Sequence, residues 1–303
     1  MNEPNYSLPF FAYGALKPNE IAWSQISENC IQSESIYAEG LKLFVIGGIA
    51  VARPEAGAKV DGWLLSFSNS VSTYRRISKL EGVPNFYTWD IIATSKGKAN
   101  VLVAASSEGK RSEVDDWSTA SDPFLGGSIP YLYNSLSSLS KLSSGQEVGP
   151  DVNDKFLQLQ SNYVLLWTTF ERILRFTRPG LSGTEGSIRR ESAKSQTNKS
   201  WTKTFDVIPQ GTKLSCASSK EPYGKPIRFS DNYFEYFYAL RNNIVHRGKG
   251  ALQDFNQLHT STIILYNLIS SFLQLECPAV KLAWSRLDQK PNLENRYFQI
   301  TNK

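Results

Sequence analysis

Between Ser118 and Asp151 the chain changes character. The stretch STASDPFLGGSIPYLYNSLSSLSKLSSGQEVGPD is rich in Ser, Gly and Pro, residues that interrupt regular structure. Before it, apolar residues come in short strand-like runs; after it they recur at helical spacing. A chain of 303 residues divided in this way is expected to form two domains. They are residues 1–118 and 151–303, joined by a linker over 119–150 in which YLYNSL docks on a neighbour.

The first part reads as α+β. PFFAYGALK is a short apolar strand ending in a glycine turn, and KVDGWLLSF, FYTWDIIAT and ANVLVAA are strand-like. SKGKA between the last two fits a hairpin turn. SVSTYRRISKLEG sets Val71, Tyr74, Ile77 and Leu80 at threefold spacing, which predicts a short amphipathic helix stopped by Gly82.

The second part reads as all-α. DVNDKFLQLQSNYVLLWTTFERILRFT is one long helical pattern ending before Pro179. Residues 178–230 follow with poor periodicity and a basic excess that includes Arg178, Arg189, Arg190, Lys194 and Lys199. This insertion reads either as a solvated, flexible loop or as an electrostatic collar for phosphates. FSDNYFEYFYALRNNIVHRG is a further helix with Ser230 or Asp231 as its N-cap, and DFNQLHTSTIILYNLISSFLQL a last one ending before Pro278.

Bulk composition narrows the partners. A hydrophobic content of 41% and an aromatic content of 12% fill sizeable cores. A net charge of +5 permits an acidic partner without requiring one. Cys30, Cys216 and Cys277 are scattered, odd in number and without CxxC spacing, so neither a disulfide framework nor a zinc knuckle follows, and a reducing, cytoplasmic setting is expected. MNEPNYSLPFF lacks the features of a signal peptide, and TIILYNLISSFLQL is too short and polar to span a bilayer. No membrane, metal or cofactor is implied.

Two places carry candidate chemistry. Tyr13-Gly14-Ala15-Leu16 ends the first strand, where a glycine turn leaves amide N–H groups free for a carboxylate or carbonyl oxygen. Glu81 ends the first helix, where its carboxylate meets the negative pole of the helix dipole, a position that disfavours the charged form and marks an acid–base candidate. An exposed glutamate in a frayed last turn fits the same position. In the second part, Phe234, Phe237, Tyr238, Ile244 and Val245 share one helix face, with Arg241 near its middle and Asn242 and His246 on its flank. An arginine there is either held in an internal ion pair, with Glu171 or Glu235, or opens into a cleft at an interface. His246 and Arg247 also suit a helix C-terminus closed by Gly248, a placement worth roughly 0.3–1 kcal/mol.

FFAYGALKP, GLKLFVIGGIAVARPEAG, VDGWLLSF and LEGVPNFYTWDII, in this order, resemble the γ-glutamylcyclotransferase-like (AIG2-like) family over roughly residues 8–105. The resemblance implies a small mixed β-barrel with a cavity. It implies that the loop of Tyr13, Gly14, Ala15 and Leu16 binds the substrate's α-carboxylate end, and that Glu81 is the catalytic residue of an EG…Y segment completed by Gly82 and Tyr87. Glu81 would take a proton from a γ-glutamyl α-amine, which attacks its own γ-carbonyl and releases the leaving amine and 5-oxoproline.

The run Arg241-Asn242-Asn243-Ile244-Val245-His246, with its order of helices, resembles the HEPN superfamily over roughly residues 151–276. That resemblance implies a helical bundle that dimerises through this helix and cleaves RNA without a metal, with Arg241, His246 and Asn242 as catalytic residues, in toxin or antiviral systems. Two other readings fit the residues: a γ-glutamyl-amine cyclotransferase whose helical domain only dimerises it, and a non-catalytic module binding a ligand and a nucleic acid.

Overall fold

The computed structural model describes residues 3–106, 112–140, 150–178, 180–181, 183–217, 226–247 and 255–285. The chain forms two compact units. One is Met1–Pro123 with Arg175–Leu181 and Glu276–Val280; the other is Phe124–Leu174 with Ser182–Leu275 and Lys281–Lys303.

The first unit is a small mixed barrel. Strands β1 (Phe10–Ala12), β2 (Cys30–Ile46), β3 (Ile49–Phe67), β4 (Tyr87–Thr94) and β5 (Gly97–Ala104) close on themselves: β3 pairs β1, β1 pairs β5, β5 pairs β4, β4 touches β2 at Ala38↔Thr94, and β2 returns to β3. All contacts are antiparallel except β1 with β5, and β6 (Ser112–Glu113) is appended to β2. The long β2–β3 hairpin turns through Gly47 and Gly48, both at positive φ (57° and 80°), as a tight two-residue hairpin turn requires. Gly62 is needed for a different reason. A Cβ there would lie 2.6 Å from both the Ala12 carbonyl oxygen and the Phe11 ring, so only glycine lets β3 close on β1.

Polar groups fix the start of the barrel. Asn100 is fully buried; its Oδ1 accepts from the Asn5 amide (2.8 Å), and its Nδ2 donates to the Asn5 carbonyl (2.8 Å) and to the Tyr74 hydroxyl oxygen (3.1 Å). Tyr74 comes from α1 (Ser70–Leu80) and packs edge-on against Phe10, Phe67 and Trp89. The predicted helix is present, but its inward face is Thr73, Tyr74 and Ile77, while Val71 is 42% exposed. Gly82 follows it at φ 67°, the left-handed conformation of a helix stop.

The second unit is helical: α2 (Ser128–Ser140), α3 (Pro150–Thr177, its last turn counted with the first unit), α4 (Glu185–Ser195), α5 (Lys199–Thr202), α6 (Tyr233–Arg247), α7 (Phe255–Glu276) and α8 (Pro278–Ser285, whose first turn also belongs to the first unit), with a small ribbon of β7 (Ser215–Cys216) and β8 (Ile227–Arg228). The Ser-rich stretch expected to be a linker over 119–150 instead carries α2. Leu125, Ile129, Leu132, Leu136 and Leu139 are buried at spacings of three and four, so a helical stripe lies under the serines. The insertion over 178–230, expected to be either a flexible loop or a basic collar for phosphates, is structured in its described residues. It supplies α4, α5, β7 and β8, and places Trp201 in the core, stacked on Phe272 at 4.0 Å and edge-on to Phe170 and Phe234. The cap of α6 is Asn232, whose Oδ1 accepts from the Glu235 amide (3.0 Å), rather than Ser230 or Asp231. Gly248 lies outside the described residues. No single helix among those described is long and apolar enough to cross a membrane; α7 is mostly buried in the unit's own core.

Candidate active site

Glu81 sits one residue beyond α1, its amide donating to the Ile77 carbonyl (2.9 Å). The helix therefore fixes its backbone, and Gly82 turns the chain away. The Glu81 side chain lines a pocket of the barrel with Tyr13, Gly14, Leu16, Ala50 and Tyr87. Burial lifts its carboxyl from the ordinary 4.5 to about 7. The residue as a whole keeps intermediate exposure. Among the described residues no ion pair or hydrogen bond holds this carboxyl.

The loop after β1 forms another wall. The amides of Gly14, Ala15 and Leu16 meet no acceptor among the described residues, whereas the Gly14 carbonyl accepts from the Lys17 amide (3.0 Å) and the Ala15 carbonyl from the Ala22 amide (3.0 Å). Gly14 is not at positive φ; a Cβ there would come within 3.1 Å of Ala50 Cβ. The expected turn is present, closed by the Lys17 amide on the Gly14 carbonyl, and glycine there also permits the close approach to β3.

The two tyrosines are tied to backbone. Tyr13 Oη donates to the Leu102 carbonyl (2.6 Å) and Tyr87 Oη to the Ala50 carbonyl (2.5 Å). Tyr13 is buried, and burial, followed by the neighbouring Glu81 charge, pushes its hydroxyl far above its usual range. Both rings line the pocket, but neither hydroxyl proton is free for a substrate.

Two aromatic lining residues, Trp117 and Phe176, lie outside the stretch 8–105 that carried the resemblance. Trp117 is 3% exposed, and its Nε1 donates to the Gly48 carbonyl (3.0 Å). It is set in place by Lys17, directly after the loop, which bonds the Asp116 carboxylate (2.5 Å) and the Trp117 carbonyl (2.7 Å). Buried Glu20 adds an anchor by accepting from the Thr119 amide (2.7 Å). Phe176, from the Arg175–Leu181 segment of the same unit, faces Trp117 at 6.3 Å between ring centres. Trp117 shows in the sequence as a lone aromatic in a polar stretch; Phe176, at the end of a long helical pattern, carries no local signal. The space left for a water-sized body in the pocket is only about 30 Å³, room for one or two waters.

Residues 10–119 match the family model Gamma-glutamyl cyclotransferase, AIG2-like. The first unit thus carries an AIG2-like domain, over much the same residues as the sequence resemblance. No curated protein matches the chain. Solved structures similar to it include the uncharacterized protein PH0828 from Pyrococcus horikoshii, 20% identical with a TM-score of 0.31, covering 36% of this chain and 89% of its own. An AIG2-like protein from Mus musculus is 15% identical with a TM-score of 0.31, covering 37% of this chain and 88% of its own. A structure described as a gamma-glutamyl cyclotransferase is 12% identical with a TM-score of 0.26, covering 60% of this chain and 98% of its own.

In the helical unit, Arg241, Asn242 and His246 all lie on α6. Asn242 is 3% exposed; its Oδ1 accepts from Arg241 Nη1 (2.9 Å), and its Nδ2 reaches Glu185 Oε1 (3.5 Å), which also accepts from the Tyr238 hydroxyl (2.7 Å). Of the expected partners of Arg241, Glu235 is paired with Arg189 (3.0 Å) and Glu171 accepts from Trp167 Nε1 (2.5 Å). Much of the apolar face that suggested an interface is filled from within the chain. Phe234 stacks on Phe170 at 4.9 Å and Tyr238 meets Trp167 edge-on at 5.8 Å, while Val245 stays 46% exposed. The His246 side chain lies outside the described residues. The other histidine, His259, is buried against Phe255, and burial lowers its pKa to about 4.

Proposed function

We propose that the AIG2-like domain is a γ-glutamylcyclotransferase that releases 5-oxoproline from γ-glutamyl amines. The observation that carries this reading is the Glu81 carboxyl, unpartnered among the described residues and held at about 7, in one pocket with the unused amides of Gly14, Ala15 and Leu16. An acid–base group works best when its pKa lies near the working pH. Ionised Glu81 takes a proton from the substrate's α-ammonium. The freed α-nitrogen attacks the γ-carbonyl carbon, and the ring closes as the amide π-pair moves onto oxygen. Glu81 gives that proton to the leaving nitrogen and takes the surplus proton from the ring nitrogen; the oxygen pair falls back to re-form the carbonyl as the C–N bond breaks, and 5-oxoproline leaves with the amine, which carries off the second proton as an ammonium. The loop amides hold the α-carboxylate. The attack is intramolecular, so positioning supplies much of the rate.

The test is 5-oxoproline release from γ-glutamyl amines. Glu81→Gln is expected to lower kcat by about 10²-fold or more, and the wild-type rate to rise through pH 7 as Glu81 ionises. Undiminished release by Glu81→Gln overturns the assignment.

For the helical unit we infer metal-independent RNA cleavage through Arg241 and His246, assisted by Asn242, in a homodimer. Support comes from Arg241, which keeps intermediate exposure on the helix that carries His246. A guanidinium and an imidazole supply the cation and the proton-transfer group that phosphodiester cleavage needs. Cleavage that persists in a chelator and disappears in His246→Ala is expected; cleavage unchanged by that substitution rules the reading out.

A further inference from the structure

We propose that the pocket of the AIG2-like domain selects γ-glutamyl conjugates of neutral, apolar amines, and that Phe176, with Trp117, forms the wall that receives the amine's hydrocarbon group. This rests on the cyclotransferase reading and narrows its substrate.

The argument starts from which polar groups the pocket has left to offer. Among its described lining residues Glu81 is the only charged one. The Tyr13 and Tyr87 hydroxyls are spent on the Leu102 and Ala50 carbonyls, and the Trp117 indole N–H on the Gly48 carbonyl. What remains is the Glu81 carboxyl and the loop amides, and the glutamyl part of a substrate uses both. Its α-amine goes to Glu81 and its α-carboxylate to the amides. Among the described residues no cation lines the pocket to meet a second carboxylate, such as that of a γ-glutamyl-α-amino acid. Such a group would also be desolvated near the Glu81 charge, which is costly without a partner. A second ammonium would find its one counter-charge already engaged.

The rest of the wall is apolar: Leu16, Ile49, Leu102, Trp117 and Phe176. Aromatic faces of this kind favour hydrocarbon and rings by area and by edge or offset stacking. Phe176 lies outside the family-matched residues 10–119. Phe176 is also the ring able to give way. Trp117 is buried and fixed by its indole bond, whereas Phe176 keeps intermediate exposure. With only about 30 Å³ open in the pocket, a γ-glutamyl amine enters by moving Phe176 outward and then packs its amine substituent against the ring.

The experiment uses the full chain with γ-glutamylbenzylamide, γ-glutamylmethylamide and γ-glutamylglycine, measuring 5-oxoproline release by the wild type and, separately, calorimetric binding to Glu81→Gln. The benzylamide is expected to bind about tenfold tighter than the other two, a step of about 1.4 kcal/mol. Adding Phe176→Ala should remove most of that preference, and Phe176→Leu should keep part of it. Equal binding of all three compounds, no binding of any, or a Phe176→Ala loss shared equally by benzylamide and methylamide overturns the proposal. A benzylamide preference in binding, sensitive to Phe176 but with no 5-oxoproline formed from any compound, sinks the cyclotransferase reading and leaves the subsite standing.

Discussion

At the scale of single residues, the buried Glu81 carboxyl links protonation to stability. The folded chain holds its proton up to about pH 7, whereas an ordinary carboxyl releases it near 4.5. Below the lower value both states are protonated and burial costs little. Between the two values the unfolded chain releases a proton that the folded chain keeps, so stability falls as pH rises, and above 7 the full penalty stands. Glu81→Gln keeps the shape and removes the ionisation. Thermal melts are therefore expected to show no difference between variant and wild type at pH 4 and a variant several degrees more stable at pH 8. A variant less stable than wild type at pH 8 would show that Glu81 holds the fold together rather than straining it for chemistry.

At the scale of elements, the region that reads as a loop organises much of the helical core. Its α5 brings Trp201 between α3, α6 and α7, against Phe170, Phe234 and Phe272. Its α4 binds α6 through Arg189–Glu235 and through the Glu185, Tyr238 and Asn242 hydrogen bonds. Loss of a fully buried tryptophan side chain costs about 3–5 kcal/mol. Trp201→Ala is therefore expected to lower the urea midpoint of the helical unit's transition, followed by far-UV circular dichroism; a midpoint within error of wild type would contradict this packing. The region was illegible because its inward positions are Ile188, Ser192 and Ser195 on α4 and a single tryptophan on α5. Small polar residues fill the buried face, so hydrophobic periodicity had nothing to detect. The reverse error hid α2, where serine-rich composition outweighed a leucine stripe that was present at helical spacing.

At the scale of the whole molecule, the sequence determined the two-part organisation, the closing hairpin of β4 and β5, the helix that delivers Glu81, the loop of Tyr13 to Leu16, and the run from Arg241 to His246 on one helix. Each depends on turn chemistry or spacing within a few residues, which the local chain carries by itself. The tertiary structure decided the rest. The Glu81 carboxyl is lifted toward neutrality only because separate barrel segments bury it. Gly14 and Gly62 are required by backbones and side chains that approach from other strands. Trp117 and Phe176 meet across a wide gap in sequence, and the aromatic face of α6 is claimed by α3 and α5. Burial and close approach depend on what the rest of the chain brings to a point, and no window of neighbouring residues contains that information.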